Sequence, residues 1–283
     1  MGAAKRRKAE FFKQNPFCCF CGGSEAATTE DHVPARSIFD ERKWPEGYNF
    51  PACKSCNRIT RLDEKVVAFL SRIRSSNDGQ QTPAQIAEMR RCMAAMHSDY
   101  PEAYKSLRPS SNEVRRFLKE RGIERTPNTT LSEVPILSIG RPEFIIPIRN
   151  FGIKLFCALH YKHTGTIVPV QWVVAMRMIT NAQQDLLTEE IFKVLGGRPT
   201  LVRSRNELHD QFSYVFAVAS ERSMSAYLCK FRESFLLMGI ISGNPLPEEF
   251  DENPEMGAFQ GSPFTHPTPT RSGSFAKRQF GCV

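Results

Sequence analysis

The chain has 283 residues, enough for about two domains, and 41% of them are hydrophobic, which supports ordinary globular cores. The formal net charge of +8 is compatible with a polyanionic partner such as nucleic acid, whereas no apolar run approaches the ~20 residues of a membrane span. Nine cysteines, an odd number in a long chain, favour a cytoplasmic protein with metal-bound or reduced thiols over a secreted disulfide framework.

The chain begins with a basic segment and continues into a region with little helical periodicity. Residues 1–15 carry five cations against one acidic residue, a pattern typical of a solvated end that can also contact phosphates. They contain no apolar core of a secretion signal. Residues 16–60 are rich in Cys, Pro, Gly and Asn, which indicates a small fold organised by something other than a large apolar core.

Two cysteine pairs with the same spacing supply that organising element. Cys18 and Cys21 form the first pair, and Cys53 and Cys56 repeat the spacing about thirty residues later. Two such knuckles can place four thiolates at the corners of a tetrahedron, the geometry that Zn²⁺ favours. We therefore predict a structural zinc site. Cys19 is not a predicted zinc ligand, because it lies only two positions from Cys21. The plainer alternative to a zinc site is four buried cysteines that bind nothing.

The segment between the two cysteine pairs, residues 22–52, is called the zinc loop below. Three polar residues inside it or just after it suggest hydrolytic chemistry. Asp31 offers a carboxylate oxygen suited to Mg²⁺, and His32 can accept a proton at neutral pH. Asn57 follows the second knuckle directly and offers an amide oxygen. These are the parts of metal-assisted phosphodiester hydrolysis. The plainer interpretations are a structural histidine for His32 and capping roles for Asp31 and Asn57.

The motif as a whole resembles the zinc-ribbon HNH endonucleases of the ββα-metal, or His-Me finger, class. The similarity covers roughly residues 15–75 and rests on these positions: Cys18, Cys21, Asp31, His32, Asn49, Cys53, Cys56 and Asn57. Since the last member is Asn, this is the H-N-N form, similar in that respect to phage endonuclease VII. The resemblance implies that His32 is the general base and that Asp31 and Asn57 hold a catalytic Mg²⁺ or Mn²⁺. It also implies that Asn49 orients the loop and the His32 ring.

The same resemblance implies a helix after the second knuckle and basic residues that contact DNA. The helix is expected to begin near Asp63, which we predict to be its N-cap, and to supply the α of the ββα unit within a domain spanning 16–78. The predicted phosphate contacts are Arg58, Arg61, Arg36 and Lys54.

The remainder of the chain predicts an α+β protein with a second domain. Residues 79–130 read as a helical connector, with one helix capped by Thr82 and Pro83 and another capped by Ser111 or Asn112. Residues 131–250 predict an α+β domain with a buried helix and strands, offering a homodimer or partner interface. Residues 251–283 are rich in Pro, Ser, Gly and Thr and are predicted to be disordered.

These observations lead to one principal hypothesis and two alternatives. The principal hypothesis is a metal-dependent endonuclease of bacterial or phage origin that cuts DNA. A zinc ribbon that grips nucleic acid without cutting it is the first alternative. The second is an interaction protein in which residues 131–250 carry the role.

Overall fold

The computed structural model describes residues 2–73, 82–124, 130–131, 136–180, 195–246 and 258–265. These residues form a mixed structure of helices and antiparallel sheets, which confirms the predicted α+β class. None of the helices in this part of the chain combines the length and apolarity that crossing a membrane requires. The basic N-terminal segment is a helix, α1 (Ala3–Gln14), with no buried residue.

The zinc-loop region forms a two-stranded hairpin followed by helices. Strand β1 (Thr29–His32) pairs antiparallel with β2 (Asn49–Ala52), and this register places His32 directly opposite Asn49. Two short 3-10 helices, Arg36–Ile38 and Asp40–Arg42, lie in the connecting loop. Helix α2 (Lys54–Ile59) begins directly after the second strand, and α3 (Asp63–Leu70) follows it.

The helix predicted to begin near Asp63 is present as α3, and a shorter helix, α2, precedes it. Helix α2 starts at Lys54 because the Cys53 side chain accepts a hydrogen bond from the Cys56 backbone N–H and so acts as the N-cap. The prediction that Asp63 is an N-cap is wrong, since Asp63 lies inside α3 and Leu62 occupies the cap position. The Asp63 carboxylate instead accepts a hydrogen bond from Asn150.

The helices predicted for the connector are present within the described part of the chain. They are α4 (Pro83–Asp99) and α6 (Ser111–Glu120), and a short helix that was not predicted, α5 (Pro101–Ser106), lies between them. Thr82 caps α4 with a reciprocal bond to Gln85, as the sequence predicted. Helix α6 is capped by Ser110, one position before the predicted Ser111 or Asn112. Residues 125–129 of the predicted connector lie outside the described residues.

A long buried helix packs against a five-stranded antiparallel sheet in the C-terminal half. Helix α7 (Pro142–Thr164) is the predicted buried helix. The strands are β3 (Val173–Thr180), β6 (Phe212–Val218), β7 (Met224–Phe231), β8 (Phe235–Ser242) and β9 (Ala258–Gly261). Their order in the sheet is β6-β7-β8-β3-β9. The helix approaches closely because Gly239 presents no Cβ, which would lie 2.3 Å from the Phe156 ring.

A two-stranded hairpin outside this sheet projects toward the zinc-loop region. It consists of β4 (Val202–Arg203) and β5 (Asn206–Glu207), which pair antiparallel. Its two turn residues, Ser204 and Arg205, both have positive φ angles, 50° and 71°. Such a turn matches the twist of the strands that it joins.

The prediction that residues 251–283 are disordered is wrong for the part that the structure describes. Residues 258–261 form strand β9, which adds to the sheet beside β3. Phe264 then packs against the main core, and its backbone N–H donates a 2.8 Å hydrogen bond to the Phe20 carbonyl. A strand at a sheet edge needs only backbone partners and a few apolar side chains, so the polar composition misled the prediction. Residues 251–257 and 266–283 lie outside the described residues.

One cluster of buried side chains joins the segments that the sequence divided into two domains. It includes Phe20 and Phe50 near the zinc loop, Phe69 in α3, and Phe151 and Phe231 in the C-terminal half. The boundary at residues 78 and 131 therefore does not separate two independent cores. The zinc-loop region rests on α7 and on the sheet behind it.

Candidate metal centre and hydrolytic site

The four predicted zinc ligands converge in the structure. The sulfur atoms of Cys18, Cys21, Cys53 and Cys56 all lie within 4.8 Å of one another, and all four residues are buried. A tetrahedral Zn²⁺ with Zn–S distances near 2.3 Å would place its sulfurs about 3.8 Å apart. The donor set and its spacing therefore fit zinc. None of the eight cysteines among the described residues forms a disulfide.

The backbone around the cysteines has the form of two metal knuckles. The Phe20 backbone N–H donates to Cys18 Sγ at 3.4 Å, and the Cys56 backbone N–H donates to Cys53 Sγ at 3.3 Å. Such bonds stabilise negative charge on sulfur. Gly22 follows the first knuckle at φ +63°, and a Cβ there would lie 2.5 Å from a Val170 side-chain carbon. The turn after the first cysteine pair therefore requires glycine at this position.

Cys19 is the spare thiol that the register predicted. It is fully buried and stands outside the group of four. Burial, above all, raises the pKa of its thiol well above the ordinary value. Its backbone N–H donates a 3.0 Å hydrogen bond to the Pro51 carbonyl, which ties the first knuckle to β2.

His32 lies at the end of β1 and packs against an indole that the sequence analysis did not single out. The His32 and Trp44 ring centroids are 4.4 Å apart. Trp44 Nε1 donates a 3.2 Å hydrogen bond to Asn49 Oδ1, while Asn49 Nδ2 donates to the Glu30 carboxylate at 3.3 Å. Asn49 therefore contacts the indole that packs on the His32 ring.

His32 is held neutral by its surroundings. The ring is half-buried, and an Arg36 guanidinium nitrogen contacts its Nε2. Burial, together with the positive charge of Arg36, lowers the pKa of His32 to about 4. At neutral pH the imidazole is therefore uncharged.

Asp31 points away from His32, as adjacent residues on a strand must, and meets a buried lysine. Asp31 Oδ2 lies 2.6 Å from the Nζ of Lys154 in α7, and only 1% of the Lys154 side chain is exposed. The same ammonium lies 2.7 Å from the Glu64 carboxylate and donates to Thr60 Oγ1 at 2.8 Å. Burial acts to lower the pKa of Lys154, but the two carboxylates outweigh it and raise the pKa.

Asn57 links α2 to the first strand of the hairpin. Its Nδ2 donates to Thr29 Oγ1 at 3.1 Å and to the Glu30 carbonyl at 3.3 Å. The side-chain amide therefore lies beside β1, at the two strand positions that precede Asp31. Asn57 does not cap α2, because Cys53 occupies that position.

The four predicted DNA-contacting residues divide into two groups. One group is exposed on α2 or just after it and consists of Lys54, Arg58 and Arg61. An open surface groove is lined by Lys54, Arg58 and Ile59. Arg36 belongs to the His32 surroundings instead, because its guanidinium lies 3.7 Å from the Trp44 ring centroid.

Sequence reasoning missed three residues around the site: Trp44, Lys154 and Arg203. A lone tryptophan inside a polar loop was a usable signal for Trp44. A charged residue amid the apolar run around Phe151 and Phe156 was a usable signal for Lys154. Arg203 carried no sequence signal, since only the docking of the β4–β5 hairpin brings it to the site.

No protein-family model, no curated protein and no solved structure matches this sequence.

Proposed function

We propose that the chain is a metal-dependent endonuclease of the HNH type, which hydrolyses phosphodiester bonds in DNA with His32 as the general base. The observation that carries the proposal is the placement of His32. It lies on a two-stranded hairpin between paired cysteine knuckles, opposite Asn49, and is neutral at physiological pH. A ribbon that only binds DNA has no need of a neutral histidine surrounded by cationic side chains.

The mechanism follows from the contact between Arg36 and His32 Nε2. A phosphate group that enters the site attracts the Arg36 guanidinium and so releases the Nε2 lone pair. Nε2 then accepts a proton from water while the water oxygen attacks phosphorus and the bond to the leaving oxygen breaks. Asn49 keeps Trp44 against the imidazole and so limits its rotation.

Two metal roles belong to this proposal. The four cysteines fit a structural Zn²⁺, whose coordination shell they would fill, so that no position would remain there for water or substrate. Asp31 and Asn57 are the proposed ligands of a catalytic Mg²⁺ or Mn²⁺, which would supply stabilisation of the charge on the phosphate and the leaving oxygen.

One observation favours a second candidate, a zinc ribbon that binds nucleic acid without cutting it. The Asp31 carboxylate already pairs with Lys154, which is buried and held by two further partners. A divalent cation would have to share that carboxylate with an ammonium group. If it cannot, the exposed basic residues on α2 still provide contacts to phosphates.

The two candidates are distinguished by supercoiled-plasmid cleavage in Mg²⁺ and in Mn²⁺. His32→Ala is compared with wild type and with His97→Ala, which removes an exposed histidine on α4. Each protein is first checked for one bound zinc. We expect His32→Ala to lower the cleavage rate about 10²- to 10⁴-fold, the usual contribution of a general base, and His97→Ala to leave it unchanged.

Other results would decide against the nuclease. If zinc-loaded wild type binds DNA but never cuts it in either metal, the binding ribbon replaces the endonuclease. If His32→Ala cuts at the wild-type rate, His32 is not the base and the assignment of the site is wrong.

A further inference from the structure

The β4–β5 hairpin brings a second arginine to the candidate site. The Arg203 guanidinium carbon lies 4.0 Å from the Trp44 ring centroid, and that of Arg36 lies 3.7 Å from it. Two guanidinium groups from segments about 170 residues apart thus contact the indole that packs on His32. A guanidinium on an aromatic face keeps its N–H groups available at its edge for planar recognition of an anion.

These cations have no carboxylate partner within the part of the chain that the structure describes. Neither Arg36 nor Arg203 forms a salt bridge there, and two acidic residues near them in the chain have other partners. The Glu46 carboxylate accepts a hydrogen bond from the Ser204 backbone N–H at 3.1 Å, and Glu41 pairs with Lys43. Positive charge that the fold concentrates but does not neutralise is the electrostatic signature of an anion site.

The hairpin does not need the Arg203 side chain in order to dock. The Glu46 backbone N–H donates a 3.0 Å hydrogen bond to the Val202 carbonyl, and Ser204 adds the bond to Glu46. Among the described residues, the one hydrogen bond that the Arg203 side chain donates, to the Trp44 carbonyl, is long at 3.5 Å. Arg203 is half-buried. Anchoring of the loop therefore does not account for its position.

We propose that Arg203 is a substrate-binding residue. Arg203 and Arg36, which both contact the Trp44 indole, together bind a backbone phosphate of DNA. This proposal rests on the proposed nuclease function for the identity of the anion. It assigns the C-terminal half a direct part in the site, because the hairpin supplies one of the two arginines. Substrate positioning beside His32 thus depends on both halves of the chain.

The test measures DNA binding apart from cleavage. His32→Ala protein, zinc-loaded and full length, is titrated into a fluorescein-labelled DNA duplex without added divalent ions, at several salt concentrations. Arg203→Gln is introduced into this protein, and Arg115→Gln, which removes an exposed charge on α6, is the matched control. We expect Arg203→Gln to weaken binding about tenfold and to reduce the slope of log K against log salt by about 0.9. Arg115→Gln should change affinity less than twofold.

A structural role for Arg203 predicts a different pattern. If Arg203 grips phosphate, Arg203→Lys restores the salt slope and Arg203→Gln unfolds at the wild-type temperature. An unchanged slope in Arg203→Gln overturns the proposal. So does a lost slope that appears only with a lower unfolding temperature and that Arg203→Lys does not restore.

Failure of the phosphate grip is distinguishable from failure of the nuclease. If His32-containing protein never cuts DNA but Arg203→Gln still reduces the salt slope, the phosphate site stands and the endonuclease fails. If the His32-containing protein cuts DNA, and its Arg203→Gln variant binds and cuts DNA equally well, the nuclease stands and the role of Arg203 is refuted.

Discussion

Replacement of Lys154 by methionine tests whether the buried ion pairs between α7 and the candidate site stabilise the fold. The substitution keeps an unbranched side chain of similar length but removes the ammonium that lies 2.6 Å from Asp31 and 2.7 Å from Glu64. Two largely buried carboxylates, 11% and 17% exposed, then face each other without a cation. We expect Lys154→Met to be strongly destabilising for this reason.

The magnitude follows from the burial of the cluster. Removing one partner of a buried ion pair costs about 3–5 kcal/mol, because the remaining charge is left without compensation. For a chain of this size that corresponds to a fall in Tm of about 6–20 °C. An exposed pair is worth about 0–1 kcal/mol, so Lys230→Met, which breaks the surface pair with Glu233, is the matched control.

The assay is urea unfolding of zinc-loaded protein, followed by circular dichroism. The double variant Lys154→Met with Glu64→Gln restores the net charge of the cluster and should recover part of the lost stability. The reasoning is refuted if Lys154→Met costs no more than Lys230→Met. It is also refuted if the double variant is no more stable than Lys154→Met, since the uncompensated charge would then not be the cause.

Three further predictions concern the zinc site, pH and packing. Cys56→Ser should lose the bound zinc, which contributes on the order of 10 kcal/mol of folding free energy. Metal analysis should still find one zinc per chain in Cys19→Ser, and full zinc occupancy in Cys56→Ser would contradict the assignment. Burial lowers the pKa of His160 to about 4 from 6.5, so the unfolded chain binds more protons between these values and stability falls as pH drops through 6.5 toward 4. Between pH 7 and pH 5 this group should cost about 2 kcal/mol, and urea titrations of His160→Gln should show a correspondingly flatter pH dependence; an equal slope would exclude His160 as the source. Gly239→Ala should destabilise the chain by about 1–3 kcal/mol in thermal unfolding, because its Cβ would lie 2.3 Å from the Phe156 ring; an unchanged Tm would show that the ring moves aside.

Local signals in the sequence were sufficient for the metal knuckles and for several helices. The repeated spacing of Cys18–Cys21 and Cys53–Cys56 predicted a cluster that the fold does assemble. Thr82 with Pro83 predicted the start of α4, and the apolar period after Phe151 predicted a buried helix. These features depend on residues a few positions apart, and so they are readable from the sequence itself.

Helix boundaries and the C-terminal strand were harder to predict. Asp63 and Ser111 are good capping residues by composition, yet Leu62 and Ser110 occupy the cap positions. Strand β9 was missed because its only signal is the partner strand β3, about 80 residues away. Propensity ranks alternatives locally, while tertiary packing selects among them.

By itself, the sequence determined which chemistry is present: four cysteines with metal-ligand spacing, a histidine beside an aspartate, and an asparagine after the second knuckle. Only the tertiary structure decided what those residues contact. It turned Asp31 toward Lys154, placed Trp44 on the His32 ring and brought Arg203 to the same indole. Such contacts join residues far apart in the chain, and their formation depends on the shared core beneath α7 rather than on any local pattern.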